Sequence, residues 1–229
     1  MRMIVQFERH DCVRFISQLD MLRTIHRALR RADIPVAYSE GFNPQPRVSF
    51  GFALSVGLVS YGEYMDIHLK SEISPEEFVE KMNNVMPMGM RIASAAAANE
   101  NTPKIGKMID CAKFVTKLSC DDNERLLCDV KRFFERESII IERHTKKGAS
   151  MADVGAYIYY YNAEIISSGE VELTTVQALS EEMSVRMDDL ISALKEFGSY
   201  EISSKVTKID TLLRRGKKFI SPVELTRLS

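Results

Sequence analysis

The sequence predicts an α+β protein of two tandem ferredoxin-like halves of the βαββαβ type, each with an antiparallel sheet. Three observations predict it. Over residues 1–98, stretches alternating with period two and stretches with helical spacing follow each other as strand, helix, strand, strand, helix, strand. Both helical stretches open on a serine suited to cap a helix, Ser17 and Ser74. Residues 95–106, AAAANENTPKIG, then turn small and polar, after which strand and helix patterns resume. The expected organisation is a first half over 1–98, a second half over 107–211 and a basic tail over 212–229.

The first strand is expected over residues 2–7, from their alternation. Ser17 and Asp20 form an S-x-x-D start, in which the hydroxyl accepts an orphan backbone N–H and the carboxylate sits in the positive first turn. Leu19, Leu22, Ile25, Ala28, Leu29 and Ala32 supply a helical apolar stripe, and Pro35 stops it, so a helix is expected over 18–32. Its other face carries Arg23, Arg27, Arg30, Arg31 and His26. That face reads either as a solvated outer surface or as a stripe that tracks phosphates with planar forks of donors. Pro44 and Pro46 remove two backbone donors, so residues 42–47 are expected as a stiff exposed loop displaying Asn43, Gln45 and Arg47. Gly41 there suits a positive φ.

Residues 52–59 are apolar, and 62–69 alternate as a strand on which Tyr64, Asp66 and His68 share a face. Ser74-Pro75-Glu76-Glu77 opens the second helix, expected to about residue 85, and a strand follows from Met90. In the second half, strands are expected over 111–119, 138–143, 163–167, 171–178 and 200–209, with helices over 124–136 and 187–197. Residues 152–161 suit either a strand or a helix-to-strand transition.

Composition is globular, with 45% hydrophobic and 28% charged residues. A net charge of -1 excludes polyanion binding through bulk charge, so a nucleic-acid site must be a local patch. Residues 1–50 supply one candidate, with 8 Arg and Lys against 5 Asp and Glu. Cys12, Cys111, Cys120 and Cys128 form no C-x-x-C pair and are expected as small buried residues. No metal or cofactor is expected. With no signal peptide or long apolar run, the chain is expected in the reducing cytoplasm, without a membrane.

No P-loop, G-x-G-x-x-G or ordered Ser–His–Asp set is present, and no cysteine triplet suits an iron–sulfur cluster. His10, beside Arg9, Asp11 and Arg14, and His144, in the basic run Arg143-His144-Thr145-Lys146-Lys147-Gly148, are the weak candidates for acid–base work. Lys146 and Lys147 can grip phosphate or simply be solvated.

Residues 14–51, RFISQLDMLRTIHRALRRADIPVAYSEGFNPQPRVSFG, resemble the DUF2344, or radical-SAM-linked, protein family. That family reads approximately R-F-I-S-H-L-D, then R-A-L-R-R-A, then S-x-G-F-N-P-H-P-R followed by a hydrophobic residue and S-F. The resemblance continues through Gly57, Glu63 and Asp66, and relatives show a Lys-Gly segment followed by Asp, matched here by Asp153. Gln18 and Gln45 stand where the family usually has His, and Gln cannot transfer a proton near neutral pH. The resemblance implies a radical SAM protein as partner. With the residues above it supports a non-catalytic adaptor binding structured RNA, tRNA or rRNA, through Arg14, Arg23, Arg27, Arg30, Arg31, Ser39, Asn43, Gln45, Arg47, Lys146 and Lys147. Two alternatives stay open: an RNA-processing enzyme of paired ferredoxin-like domains, and a module that only binds the radical SAM enzyme.

Overall fold

The computed structural model of the chain describes residues 1–145, 148–179, 184–199 and 201–228. In order, the elements are β1 (Arg2–Arg9), α1 (Gln18–Arg31), β2 (Val48–Phe50), β3 (Val59–His68), α2 (Pro75–Asn83) and β4 (Met90–Ala98). Then come β5 (Cys111–Ser119), α3 (Asn123–Phe134), β6 (Ile140–Thr145), β7 (Gly148–Asp153), β8 (Ile158–Ser167) and β9 (Glu170–Ala178). The last elements are α4 (Met187–Gly198), β10 (Ser203–Arg215), β11 (Lys218–Ile220) and α5 (Pro222–Leu228). The fold is mixed α+β, with mostly antiparallel strands and five helices among the described residues. Two compact units divide the chain: Met1–Asp110 with Lys208–Ser229, and Cys111–Thr207.

In the first unit the strands run β4-β1-β3 with β2 on β3. Each pairing is antiparallel, Arg2 lying opposite both His68 and Ala98, and Val48 opposite Ile67. Odd positions of β1 (Met3, Val5, Phe7) and Met65 and Ile67 of β3 join Ile25 and Leu29 of α1 and Phe78 and Met82 of α2 in one core. Each helix starts as its serine dictates: Asp20 N donates to Ser17 Oγ and Glu77 N to Ser74 Oγ.

The opposite face of this sheet is covered too. Arg2 donates to the Thr102 and Pro103 carbonyls and pairs with buried Asp66 at 3.3 Å. Asp66 also accepts from Ile105 N, and α5 packs on β4 and β1. Tyr64 and Asp66, which alternate with Met65 and Ile67, are therefore buried as fully as their neighbours, and β3 has two inward faces.

The C-terminal stretch differs from expectation. Over the described residues 212–228 the expected basic tail is instead folded. Leu212–Arg215 complete β10, a turn at Gly216 leads to β11, and Ser221 caps α5 by accepting from Glu224 N. What holds this stretch is burial of Leu212, Val223 and Thr226, while its basic residues Arg214, Arg215, Lys217 and Lys218 are all exposed. Gly62 is required where β10 comes closest to β3, since a Cβ there would collide with the Asp210 backbone.

In the second unit the strands run β5-β9-β8, and β6-β7 form a separate two-stranded sheet. Residues 152–161 resolve as the end of β7, a short 3-10 turn and the start of β8. The aromatic residues of α3 pack outward from Phe133, which meets Phe197 of α4 edge-on at 5.6 Å, while Phe134 stacks on Tyr161 of β8 at 4.9 Å. Among the four cysteines only Cys111 is fully buried; Cys12 and Cys128 are exposed, which corrects their expected role as buried packing residues.

Candidate nucleic-acid interface

The inward stripe of α1 is Met21, Ile25, Ala28 and Leu29, so Leu19 is left outside, 55% exposed. Burying Met21 rather than Leu19 rotates the helix so that Arg23, Arg27, Arg30 and Arg31 all face solvent. Arg23 pairs with Asp20 at 3.1 Å, and Arg31 donates to the Val85 carbonyl at 2.7 Å. Among the described residues, Arg27 and Arg30 form neither a hydrogen bond nor an ion pair. The Asp20 carboxyl is held below its usual range, first by the Ser17 hydroxyl and then by Arg23. His26, half-buried beside this stripe, is shifted downward by burial and by Arg30, so it adds no positive charge near neutral pH.

The proline loop is a narrow exposed finger. Ser39 N donates to the Gln45 carbonyl at 2.8 Å, Gln45 N to Ser39 Oγ at 3.0 Å, and Arg47 N to the Ala37 carbonyl at 2.8 Å. Gln45 Nε2 donates to Asn43 Oδ1 at 3.1 Å. Ser39, Asn43 and Gln45 thus spend much of their bonding capacity on the finger's shape, while the Arg47 side chain stays exposed. Gly41 turns the finger at φ +116, as its position between Glu40 and Phe42 predicts. At the tip, Phe42 is completely exposed. Arg47 faces His68, whose pKa is lowered by burial and then by that guanidinium.

Arg14 stands apart from the helix stripe. It pairs with Asp11 at 2.6 Å and lies over the Phe15 ring at 4.8 Å. His10 Nε2 lies 2.8 Å from Glu8 and its ring meets Tyr61 edge-on. No hydrogen bond or ion pair among the described residues links the α1 arginines to the finger. Lys146 and Lys147 lie outside the described residues, as does the side chain of His144. Asp153 is a turn staple, accepting from Gly155 N, Ser138 Oγ and Ile139 N, which together hold its carboxyl below the usual range.

A buried polar network lies between β3 and β10. Lys208 pairs with Glu63 at 2.8 Å, and Ser60 donates to Glu63 at 2.6 Å. Tyr64 donates to Asp210 at 2.7 Å, and Thr211 donates to the Gly62 carbonyl. Arg9, 1% exposed, donates to the Ile16 carbonyl at 2.9 Å; burial lowers its pKa and Glu63 partly offsets that. Burial raises the Asp210 carboxyl to about 6.

Residues 2–187 match the family DUF2344, described as an uncharacterized protein conserved in bacteria. The chain belongs to the DUF2344 family. No curated protein matches this DUF2344 member. It resembles a chain of the crystal structure of a Cbf5-Nop10-Gar1 complex, with TM-score 0.56, 7% identity, and coverage of 91% of this chain and 48% of that one. It also resembles a chain of an H/ACA RNP bound to a substrate RNA containing 2'-deoxyuridine, with TM-score 0.51, 8% identity, and coverage of 91% and 47%. The DUF2344 chain thus spans about half the length of these solved chains, and the likeness is one of fold.

The motif reading passed over two surface aromatics of the DUF2344 block. Phe15 is 70% exposed, and Phe42 is the finger tip. A signal for Phe42 was present, since an aromatic between Gly41 and Asn43-Pro44 has no strand or helix to turn it inward. None distinguished Phe15 from the core residues around it.

Proposed function

We propose that this DUF2344 member is a non-catalytic RNA-binding adaptor that works with a radical SAM protein in the cytoplasm. The observation that carries the RNA half is the outward face of α1, with four exposed arginines of which Arg27 and Arg30 have no hydrogen-bonding or ion-pair partner among the described residues. Arginines rotated to one side of a rigid helix present forked donors at fixed spacing, which suits the phosphates of a folded RNA. The finger with Phe42 and Arg47 adds an aromatic plane and a further cation, a pairing common in recognition of unpaired bases. That one solved relative in fold is an H/ACA RNP with a substrate RNA supports structured RNA as the ligand class. The strand order β4-β1-β3-β2 of the first unit and the order β5-β9-β8 of the second, with β6-β7 inserted, support the reading of two ferredoxin-like units.

The radical SAM half rests on the family resemblance, and one observation favours a protein-docking surface: Phe15, Leu19 and Val56 are all more than half exposed, with Gly57 N bonded to the Arg14 carbonyl. Exposed apolar side chains of this size mark protein contacts more than phosphate contacts.

The test is crosslinking and sequencing of RNA bound in the protein's own cells, for wild type and for a variant carrying Arg27→Glu, Arg30→Glu and Arg47→Glu. A defined RNA, lost in the variant while the thermal midpoint is unchanged, is expected. The slope of log affinity against log salt should also fall by about 0.7–0.9 per phosphate contact removed. Absence of RNA above background sinks the RNA half and leaves the protein-docking reading.

A further inference from the structure

Between α1 and the turn that leads into β4 lies a hollow of about 270 Å³. Val13, Ile16, Pro87 and Met90 give it apolar walls, and Arg27 and Arg31 line it as well. Gly89 lets those walls approach, because a Cβ there would collide with Cys12 Sγ and crowd Val13. We propose that this hollow seats one unpaired base of the bound RNA, an inference that rests on the RNA-binding reading and specifies what that RNA must contain.

Size, polarity and charge each favour such an occupant. The hollow is smaller than the roughly 300–1,000 Å³ that hold drug-sized ligands, so it suits one ring system with its sugar and phosphate left outside. Its walls are apolar on two sides, as a base face requires. Arg31 is oriented by its bond to the Val85 carbonyl, and a guanidinium has five donors, so that bond leaves others for a phosphate. Arg27 is uncommitted and can stack on the base or take the next phosphate.

The hollow also predicts what is not recognised. Thr24, its remaining wall, already donates its hydroxyl to the Asp20 carbonyl at 2.8 Å. Apart from the two guanidinium groups and the accepting oxygen of the Thr24 hydroxyl, no side chain in the hollow offers a base edge a strong hydrogen-bonding group. Recognition is of an unpaired nucleotide whatever its identity, with affinity set by stacking and phosphate contact.

The experiment compares two RNA hairpins by equilibrium binding at physiological salt, one fully paired and one with a single bulged nucleotide, using the full chain. The bulged hairpin should bind about tenfold tighter, with all four bulge bases within about threefold of one another. Thr24→Trp fills the hollow without altering charge and should abolish the preference while affinity for the paired hairpin is retained. A 4-thiouridine at the bulge, crosslinked to the wild-type protein, should mark peptides containing Val13–Ile16 or Pro87–Met90, a readout independent of any variant. Equal binding of both hairpins overturns the base-seating proposal and leaves RNA binding intact. Binding of neither overturns the RNA-binding reading and the proposal together. Crosslinks elsewhere, or displacement of the RNA by a free mononucleotide or an acidic aromatic peptide at lower concentration, also overturn it.

Discussion

Gly62 and Asp210 face each other where β3 meets β10, and each sets a measurable constraint. The glycine leaves no room for a methyl against the Asp210 backbone, and rigid backbone cannot move aside as a flexible side chain would. Gly62→Ala should therefore cost about 1–3 kcal/mol, read as a lower urea midpoint at unchanged slope. Gly106→Ala, with open space around it, should leave the midpoint unchanged. Asp210 carries the opposite sense of strain. Burial raises its carboxyl from 3.8 to about 6, so the folded protein holds the proton more tightly than the unfolded chain. This group's contribution is therefore complete below about pH 4 and is lost as pH rises through about 6. Asp210→Asn keeps an oxygen for Tyr64 and Thr211 while removing the charge. Its unfolding free energy should lack that slope and exceed wild type near pH 7, by an amount on the order of 2 kcal/mol. A variant with the same pH dependence as wild type overturns this assignment.

At the scale of elements, α1 shows where sequence reading succeeds and where it stops. Ser17, Asp20 and Pro35 place its ends to within a residue, because capping and proline act on the local backbone. The apolar period also identified the inward face through Ile25, Ala28 and Leu29. Leu19 broke the reading, since hydrophobicity alone cannot tell a core leucine from one held at the surface. That choice depends on whether tertiary partners exist above the first turn, and Leu19 stays 55% exposed there. The exposed Phe15 and Leu19 make a clean test of partner docking. Phe15→Ser with Leu19→Ser should abolish co-purification of a radical SAM protein and leave stability within about 0.5 kcal/mol, as solvent-facing substitutions usually do. Retained co-purification removes this surface as the docking site. The C-terminal elements were missed for a different reason. Ser221-Pro222-Val223-Glu224 repeats the helix-start chemistry of Ser74-Pro75-Glu76-Glu77, but the four basic residues just before it suggested a solvated run. The charges are exposed on a hairpin whose Leu212 is buried and whose Leu213, Phe219 and Ile220 are half-buried, an arrangement invisible until β10 has a neighbour.

For the whole molecule, the arginine stripe, the finger and the capped helices were legible because each is continuous in sequence. The buried network of Glu63, Lys208, Tyr64 and Asp210 was not, since it joins residues more than a hundred positions apart. The same long-range closure makes α5 part of the first unit's covering. Deleting residues 221–229 should uncover β1 and β4 and remove the bond from Arg227 to the Ala95 carbonyl. Amide exchange should then accelerate in β1 and β4 and stay unchanged in β8 and β9, as read by mass spectrometry. Equal acceleration in both sets would show that the units do not unfold separately.

The division of β10 between the units has a consequence for synthesis. Everything belonging to the second unit lies between Cys111 and Thr207, whereas the first unit waits for residues from Lys208 onward. A ribosome therefore finishes the later-starting unit first, reversing the usual N-to-C order in which domains mature. Until residues 208–215 have been made, β3 has no β10 beside it, and Glu63 and Tyr64 have no Lys208 or Asp210 to meet. The nascent chain spends that interval with a polar strand face in need of shelter, so a pause or truncation just after Thr207 would leave the arginine-bearing unit incomplete while residues 111–207 are already made.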